Sequence, residues 1–504
     1  MYHSFMHRNH GKSPYIPDSR ESELPPRRVS FYHTLLPILA LLGIIGYGLI
    51  IRPHLLQQPA FPLEIVFILA AIVAVAELTW LGFRWETIQQ SIVQKIARAM
   101  PAFMILLSIG LIIGSWMVSG TIPMLVYYGL KTIHPNYIYL LAFWIPIVFS
   151  TLTGTSWGSA GSIGIVLIGI AGAMGAHMGI TAGAIVGGAY FGDKLSPLSD
   201  TTNMAALATD VDLFDHIHSM LYTTLPSAIL ASVLYWILGF IYPPAILSAD
   251  IGEVEPFLRA LETMFHFNLL LLLPPLIVLY GSLRRKPTVP TLAVSMLSAG
   301  ILALLFQDFS LADVLQSMYK GFRVEMATWM SDVPERVVTL VNRGGLYALV
   351  EAVIIALTVF MFIGTIDLID AMPRVVNRVF RFARRRAGTI LSTLAAAALT
   401  NSLTSNQYAT SFIVGDAFKR KYDDLGIPRK VLSRSLEDTG TMLESLVPWH
   451  PSAVFMVMTL GIPFQDYWHW QFLSLINFIV APTLAILGIG CFYSNSPERP
   501  EKSK

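Results

Sequence analysis

One apolar segment of the chain contains a dense run of polar side chains. It reads Gly188-Ala-Tyr-Phe-Gly-Asp-Lys-Leu-Ser-Pro-Leu-Ser-Asp-Thr-Thr-Asn203. A charged side chain at the centre of a membrane costs at least about 2.5–3.5 kcal/mol, so it is functional by default. The spacing i, i+3, i+7 and i+10 predicts that four of these residues share one helical face: Asp193, Ser196, Asp200 and Asn203. Their oxygen atoms are suitable ligands for a small hard cation such as Na+.

Two prolines strengthen this prediction. A proline removes the helical hydrogen bond to the carbonyl four residues earlier and clashes with it. For Pro197 that carbonyl belongs to Asp193, and for Pro448 it belongs to Glu444. We therefore predict two helix breaks, each with a carboxylate beside a freed carbonyl, and a Na+ site that uses Asp193, Asp200 and Glu444. The alternative is that proline only kinks the helix and Asp193 pairs with Lys194.

The second acidic run adds two further candidate ligands. Glu437 lies seven residues before Glu444, which would place both on one helical face, and Asp438 follows it directly. Arg434 lies four residues before Asp438, a spacing that favours an ion pair. Both Glu437 and Asp438 therefore have two interpretations, as ion or proton ligands or as salt-bridge partners.

Small polar residues interrupt two other apolar stretches, 137–175 and 388–418. We interpret each stretch as a re-entrant helical hairpin, because irregular backbone at membrane depth is tolerated only inside protein or against a water-filled cavity. Half-helix ends at such tips offer dipoles and unpaired carbonyls to ions. The candidate tip ligands are hydroxyl and amide side chains: Thr155, Ser156, Asn401, Ser402 and Asn406. The alternative is that these small residues only allow close helix packing.

The composition indicates the class of protein that surrounds these residues. Hydrophobic residues make up 54% of the 504 residues and charged residues only 13%, and the mean hydropathy is +0.60. Soluble domains carry about 25% charged residues, so a soluble enzyme is excluded. The sequence is typical of a polytopic membrane protein.

A membrane-crossing helix needs about 20 apolar residues. Ten runs meet this requirement, two of them broken: 32–52, 61–83, 101–130, 179–206 (broken), 219–242, 267–283, 287–306, 346–372, 430–458 (broken) and 471–493. Two amphipathic stretches, 85–99 and 310–322, precede spans at matching places in the two halves. The elements recur in the same order, and each half has an odd number of crossings. We predict an all-α polytopic membrane protein with about ten transmembrane helices and two re-entrant hairpins, as two inverted-topology repeats.

The corresponding domain organisation has five parts. They are a cytoplasmic polar tail (1–31), the first membrane repeat (32–245), an external connector (246–266), the second membrane repeat (267–495) and a cytoplasmic tail (496–504). The positive charges test this topology independently, because cytoplasmic loops of membrane proteins carry an excess of Lys and Arg. With the N-terminus in the cytoplasm, 25 of the 34 Lys and Arg residues lie inside and 7 lie outside. The charges predict cytoplasmic N- and C-termini.

Three blocks of sequence resemble a known family. They are Gly154-Thr-Ser-Trp-Gly-Ser-Ala-Gly-Ser-Ile-Gly164, the block from Gly187 to Met204, and Val211-Asp-Leu-Phe-Asp-His-Ile217. They are similar to the NhaC family of Na+/H+ antiporters over roughly residues 30–495, more sharply in the first half. The resemblance implies inverted repeats, exchange of a cation for protons, and Asp193, Asp200 and Asn203 as motif positions. Relatives in this family are thought to exchange organic solutes such as malate and lactate with coupled Na+ and H+.

These observations predict a secondary antiporter of a bacterial inner membrane that exchanges Na+, with Li+ as a second candidate, for H+ by alternating access. The alternative cargo is an organic acid, an amino acid or an amine coupled to Na+ and H+. The sequence also leaves open a channel and an intramembrane serine protease. Gly154-Thr-Ser-Trp-Gly158 matches a nucleophile-elbow motif, but membrane helices flank it where that motif requires a strand. We expect no enzyme activity, no cofactor and no nucleic-acid partner; the expected partners are Na+, protons, the lipid bilayer and a second copy in a homodimer.

Overall fold

The computed structural model describes residues 29–247, 254–380 and 385–493, and every regular element within these ranges is helical. Eight of these helices are long and apolar enough to cross a membrane, or ten if each of two bent pairs is one span. The prediction of an all-α polytopic membrane protein is confirmed. The predicted tails lie outside the described residues except for residues 29–31, and so does the 248–253 part of the predicted connector.

The helices of the first half follow one another through short turns, many of which contain proline or glycine. Proline has no backbone N–H and is therefore common at the start of a helix. Glycine readily adopts the left-handed conformation that ends many helices. For example, α2 follows Pro62 and ends at Gly82, whose φ is +96°. In chain order the helices are α1 Phe31–Ile45, α2 Leu63–Leu81, α3 Trp85–Val118, α4 Thr121–Thr132, α5 Ile138–Thr153, α6 Ser156–Ser159, α7 Ile165–Ala173, α8 Met178–Leu195, α9 Asp200–Ala208 and α10 Leu213–Ile241.

Helix α11 lies within the predicted connector, and the helices after it repeat the order of hairpin, interrupted helix and following helix. A π-helical turn extends α1 to Leu55 in the first half, and a 3-10 turn over Thr441–Leu446 follows α20 in the second. The helices are α11 Val254–Met264, α12 Leu273–Leu283, α13 Thr288–Phe306, α14 Leu311–Lys320, α15 Glu335–Val341, α16 Val350–Asp367, α17 Ala371–Val379, α18 Arg386–Thr404, α19 Gln407–Asp424, α20 Arg429–Thr439, α21 Pro451–Leu460, α22 Phe464–Tyr467 and α23 Phe472–Leu487.

Eight of the ten spans expected from the sequence coincide with helices, or bent helix pairs, that are long and apolar enough to cross a membrane. The other two are the broken spans, which the structure resolves into α8 with α9 and α20 with α21. The two hairpins are also present. Helices α5 and α6–α7 form the first, and α18 and α19 form the second, with tips at residues 154–155 and 405–406.

The structure corrects several boundaries. The amphipathic stretch 85–99 is continuous with the span that follows it, because α3 runs without interruption to Val118. The predicted span 101–130 is instead broken at Gly120, whose φ of +81° ends one helix and allows α4 to start. The predicted span 346–372 ends at Asp367, and Asp370, with a φ of +49°, precedes the separate helix α17. The amphipathic stretch 310–322 forms α14, which starts with a capping box between Ser310 and Asp313.

Close backbone contact fixes the first hairpin against the interrupted helix of its own half. A Cβ atom on Gly188 would lie 2.1 Å from the carbonyl oxygen of Phe143, and one on Gly192 would lie 2.0 Å from the Ser150 hydroxyl oxygen. Only glycine permits this approach of α8 to α5. Asp193 follows Gly192 directly, so this close packing of α8 on α5 fixes the position of Asp193 relative to the first hairpin.

The helices form two groups. In the framework group, α3 packs against α13, α14 and α16, and α2 packs against α1 and α16. In the hairpin group, α5 packs against α8 and α10, and α20 packs against α10, α18 and α19. Within the hairpin group α10 contacts α20 and α23 contacts α8, so that each interrupted helix meets the following helix of the other half. Reciprocal packing of this kind is the pattern that the predicted inverted repeats would produce.

Candidate ion site in the hairpin group

Both interrupted helices break where the sequence places a proline. Helix α8 ends at Leu195 and α9 begins at Asp200, so that Pro197 lies in the gap. The second break contains Pro448, between the 3-10 turn and α21. At the first break the Thr202 hydroxyl donates to the carbonyl of Asp193 (3.0 Å) and to that of Lys194 (2.9 Å). The carbonyl freed by Pro197 therefore has a partner within the protein.

The hairpin tips lie against these breaks. Gly154 adopts a φ of +73° at the first tip, and a Cβ atom there would lie 2.6 Å from the carbonyl carbon of Leu198. Thr155 then caps the returning helix by accepting from the N–H of Gly158 (3.3 Å). At the second tip Asn406 caps α19 by accepting from the N–H of Ala409 (2.9 Å). Each tip therefore presents the positive end of a helix dipole to the broken helix beside it.

Asp193 is the carboxylate of the first break, and its side chain is held by two serines. The Ser156 hydroxyl at the start of α6 donates to Oδ2 at 2.5 Å, and the Ser199 hydroxyl in the break donates to Oδ1 at 2.7 Å. The residue is only 8% exposed. Both donors are neutral, so they orient the carboxylate without balancing its charge.

Glu444 is the carboxylate of the second break and has the same kind of surroundings. Its Oε2 accepts from the Ser452 hydroxyl (3.0 Å) and from the Tyr190 hydroxyl (3.2 Å). The Nε2 atom of His450 lies 4.0 Å from Oε1 of Glu444, which is too far for a hydrogen bond. The other ring nitrogen of His450 accepts from the N–H of Ser452 and caps α21.

The first hairpin tip connects the two carboxylates. Trp157, next to Ser156, stacks on Phe455 with ring centroids 4.7 Å apart, and its indole N–H donates to the Ser452 hydroxyl (3.2 Å). Ser156 thus donates directly to Asp193, and its neighbour Trp157 holds Ser452, which donates to Glu444. Both carboxylates line the same cavity of about 760 Å³.

The cavity lies between the two helix groups. Framework residues such as Ile109, Trp116 and Phe360 form its apolar wall, and the hairpin tips and helix breaks form its polar wall. It extends to a mouth that carries Arg98, Arg285 and Lys286, which are all exposed. The cavity therefore extends from the two carboxylates to this mouth.

The buried basic residues of the hairpin group, Lys194 and Arg434, are directed to Asp438 and not to Asp193 or Glu444. Lys194 forms its ion pair with Asp438, which also accepts from the Thr223 hydroxyl (2.7 Å). Arg434 approaches the same carboxylate at 3.7 Å. Among the described residues, His450 is the only basic side chain within 4 Å of Asp193 or Glu444. Lys194 therefore does not neutralise Asp193, and the expected pairing of Arg434 with Asp438 is present.

The predicted site residues fall into two sets. The set that lines the cavity is Asp193, Pro197, Asp200, Asn203, Thr155, Ser156, Asn406 and Glu444. The set that does not is Ser196, Glu437, Asp438, Asn401, Ser402 and Pro448.

The predicted common face of Asp193, Ser196, Asp200 and Asn203 is wrong, because the helix stops at Leu195. Ser196 has extended backbone (φ −76°, ψ 131°) and donates to the carbonyl of Thr151 at 2.8 Å. Asn203 donates to the carbonyls of Pro197 (3.0 Å) and Ser199 (2.6 Å), which holds the break. Helix α20 ends at Thr439, between Glu437 and Glu444, so these two acids do not share a face towards the cavity.

Several contributing residues were missed in the sequence. Ser199 lies six residues after Asp193 and Ser452 eight residues after Glu444, so the proximity of a hydroxyl to each carboxylate was a usable signal. Tyr190 lies one turn before Asp193, on the same side of α8, but its partner is Glu444 of the other repeat. No local pattern indicates a partner 254 residues away.

Comparison with known proteins identifies related sequences. The family model described as the Na+/H+ antiporter family matches residues 188–489. An uncharacterized Na+/H+ antiporter of Haemophilus influenzae is 39% identical over 90% of this chain and 95% of its own length. The Na+/H+ antiporter NhaC of Bacillus subtilis is 33% identical over 85% of this chain and 92% of its own. The malate-2H+/Na+-lactate antiporter of the same bacterium is 31% identical over 88% of this chain and 93% of its own.

Proposed function

Because the chain belongs to the Na+/H+ antiporter family, we propose that it is a secondary transporter that exchanges Na+ for H+ across a membrane. Li+ is a second candidate cation. The observation that carries the proposal is the pair of buried carboxylates, Asp193 and Glu444, which line one cavity and accept hydrogen bonds from neutral hydroxyls. The family consists of transporters, and enzyme activity and a resident cofactor form no part of the proposal.

Electrostatics explains why such a pair exchanges one cation for the other. Burial disfavours a bare carboxylate, and a second carboxylate in the same cavity disfavours it further. A bound proton removes the negative charge, and a bound Na+ balances it. The two cations therefore compete for Asp193 and Glu444, and the hydroxyls of Ser156 and Ser452 serve as additional oxygen ligands.

Alternating access follows from the division into two helix groups. The hairpin group holds both carboxylates, whereas the framework group contributes the apolar wall of the cavity. Movement of the hairpin group along this wall would bring the carboxylates to the other side without breaking the hydrogen bonds that hold them. Transporters with inverted repeats commonly move one part against the other around a fixed site.

The first test is proton flux in inside-out vesicles that contain the protein, with a respiration-driven pH gradient followed by a fluorescent dye. Addition of Na+ or Li+ should collapse the gradient. The half-saturating Na+ concentration should rise as the pH falls, by up to about tenfold per pH unit for each carboxylate that must lose a proton. A gradient that is unaffected by Na+, Li+ and K+ at every pH would refute cation/proton exchange.

A second candidate cargo is an organic acid, an amino acid or an amine, coupled to Na+ and H+. The volume of the cavity, about 760 Å³, is far larger than a dehydrated Na+ requires, and three basic side chains lie at its mouth. A similar protein carries malate and lactate in its name. Collapse of the gradient by Na+ only when malate or lactate is also present would favour this cargo.

We further propose that the protein lies in a bacterial inner membrane with both termini in the cytoplasm. The excess of Lys and Arg on one side supports this orientation, and the cavity mouth then faces the cytoplasm. In a Cys491→Ser background, Lys286→Cys should react with an impermeant maleimide only in inside-out vesicles. Arg259→Cys, whose arginine side chain is 74% exposed in α11, should react in intact cells. The reverse labelling pattern would refute this orientation. Assembly as a homodimer stays a prediction.

A further inference from the structure

Several buried oxygen atoms lie on the second hairpin and on the end of α20, which pack against each other. Four side chains contribute oxygens that have no hydrogen-bond partner among the described residues: Asn401 (Oδ1), Gln407 (Oε1), Glu437 (both carboxylate oxygens) and Thr441 (Oγ1). Each of these residues is at most 4% exposed. Buried polar atoms are normally paired, so such a group requires an explanation.

The hydrogen bonds of the two amides fix where their oxygens point. Asn401 donates through Nδ2 to the carbonyl of Gly440 (2.8 Å), and Gln407 donates through Nε2 to the carbonyl of Leu436 (3.1 Å). Only the NH2 group of an amide can donate to a carbonyl, so the amide oxygens cannot take these positions. A Cβ atom on Gly440 would lie 2.3 Å from Oε1 of Gln407, so the amide lies directly against the glycine.

Glu437 supplies the only carboxylate among these oxygens. It lies between Leu436 and Gly440, whose carbonyls hold the two amides, and Thr441 lies one helical turn further along. The two buried cations nearby, Lys194 and Arg434, direct their charged groups to Asp438. Neither cation forms an ion pair with the carboxylate of Glu437.

We propose that the oxygens of Asn401, Gln407, Glu437 and Thr441 form a second Na+ site, next to the site at Asp193 and Glu444. One carboxylate, two amide oxygens and a hydroxyl are the hard donors that such a cation takes. Gln407 also lines the main cavity, which gives this second site a route to solvent. The inference rests on the proposed function and deepens it, because each protomer would bind two Na+ ions.

Occupation of this site would also join the second hairpin to α20. The amide groups belong to the hairpin, whereas the carboxylate and the hydroxyl belong to the interrupted helix and its 3-10 turn. A bound cation therefore adds bonds across the contact between these two elements. Loss of the cation would weaken this contact, which would keep the amide donors and the bond from the Thr439 hydroxyl to the carbonyl of Leu394.

Equilibrium binding of radioactive Na+ to the purified full-length protein tests the proposal. The unmodified protein should bind two ions per protomer, and Glu437→Gln and Asp193→Asn should each bind one. Thr441→Val keeps the side-chain shape and should raise the half-saturating concentration of one site only. Ser402→Ala is the matched control on the same hairpin, because its hydroxyl donates to the carbonyl of Ala398 in its own helix (2.8 Å); it should bind two.

The outcomes separate this inference from the proposed function. A single Na+ per protomer that Asp193→Asn removes and Glu437→Gln leaves in place would overturn the second site and keep cation exchange. If Glu437→Gln does not fold, the comparison of Thr441→Val with Ser402→Ala decides, and identical binding curves for these two variants would overturn the second site. Absence of both Na+ binding and Na+-dependent proton flux would refute the proposed function and the second site together.

Discussion

The Asp193→Asn substitution should reduce Na+/H+ exchange to the level of vesicles without the protein, while the chain still inserts and folds. Asparagine has the same shape and can still hydrogen-bond Ser156 and Ser199, which hold the carboxylate at 2.5 and 2.7 Å. It cannot carry a negative charge or release a proton, so neither cation can be exchanged at this position. Proton flux in inside-out vesicles measures the loss, and size-exclusion chromatography of the purified variant checks folding.

Two further variants distinguish loss of the Asp193 carboxylate from loss of a hydrogen-bond donor and from loss of a surface charge. Ser199→Ala removes one donor but keeps the carboxylate, so exchange should persist with a half-saturating Na+ concentration about 10-fold to 100-fold higher, the usual effect of losing a supporting contact at a cation site. Asp416→Asn is the control for charge alone, because Asp416 lies on α19 with a side chain 71% exposed; its exchange should be unchanged. Normal exchange by Asp193→Asn would exclude Asp193 from the ion pathway and direct attention to Glu444→Gln.

Local signals in the sequence were sufficient to locate the helix breaks and the hairpin tips. Proline acts on the carbonyl four residues earlier, so Pro197 indicates where α8 ends and Pro448 indicates the gap before α21. Helix α20 itself ends earlier, at Thr439, and a 3-10 turn follows it. Clusters of small polar residues that interrupt apolar stretches likewise indicate the tips at Gly154 and Ser405. Asp193 and Glu444 were recognised because each lies within one turn of such a break.

Contacts between distant helices could not be predicted in the same way. The sequence does not decide whether Lys194 pairs with its neighbour Asp193. In the structure Lys194 pairs with Asp438, 244 residues away. That choice depends on how α8 and α20 pack across the repeat interface, which no residue spacing records. The predicted common face is absent for a related reason: Ser196 lies in the break that Pro197 creates, so helical spacing no longer applies to it.

The structure also assigns different roles to acids that look alike in the sequence. Asp438 is bound by two buried cations, whereas Glu437, its neighbour, has no hydrogen-bond partner among the described residues. Adjacent residues on a helix point about 100° apart, so they meet different helices. This separation allows one acid to stabilise the fold and the other to remain available for a cation.

The carboxylate of Asp438 balances two buried cations, Lys194 and Arg434. Asp438→Asn should destabilise the protein by about 3–5 kcal/mol, the usual cost of leaving a buried charge without its partner. Lys194→Met should cost less, because Asp438 would still have Arg434 at 3.7 Å and the Thr223 hydroxyl at 2.7 Å. Thermal unfolding of the purified proteins in detergent measures the order of stability, in which Asp438→Asn should unfold first.

The double variant Lys194→Met/Asp438→Asn distinguishes an ion pair from two independent contributions. It removes the buried ammonium together with the carboxylate, and the asparagine can still hydrogen-bond Thr223 and Asn477. Its stability should therefore lie above that of Asp438→Asn and below that of the unmodified protein, because Arg434 still lacks its carboxylate. Since residues in direct contact couple by about 0.5–3 kcal/mol, strictly additive losses would show that Lys194 and Asp438 do not act as a pair. A double variant that folds and still exchanges Na+ would show that the pair takes no part in ion binding.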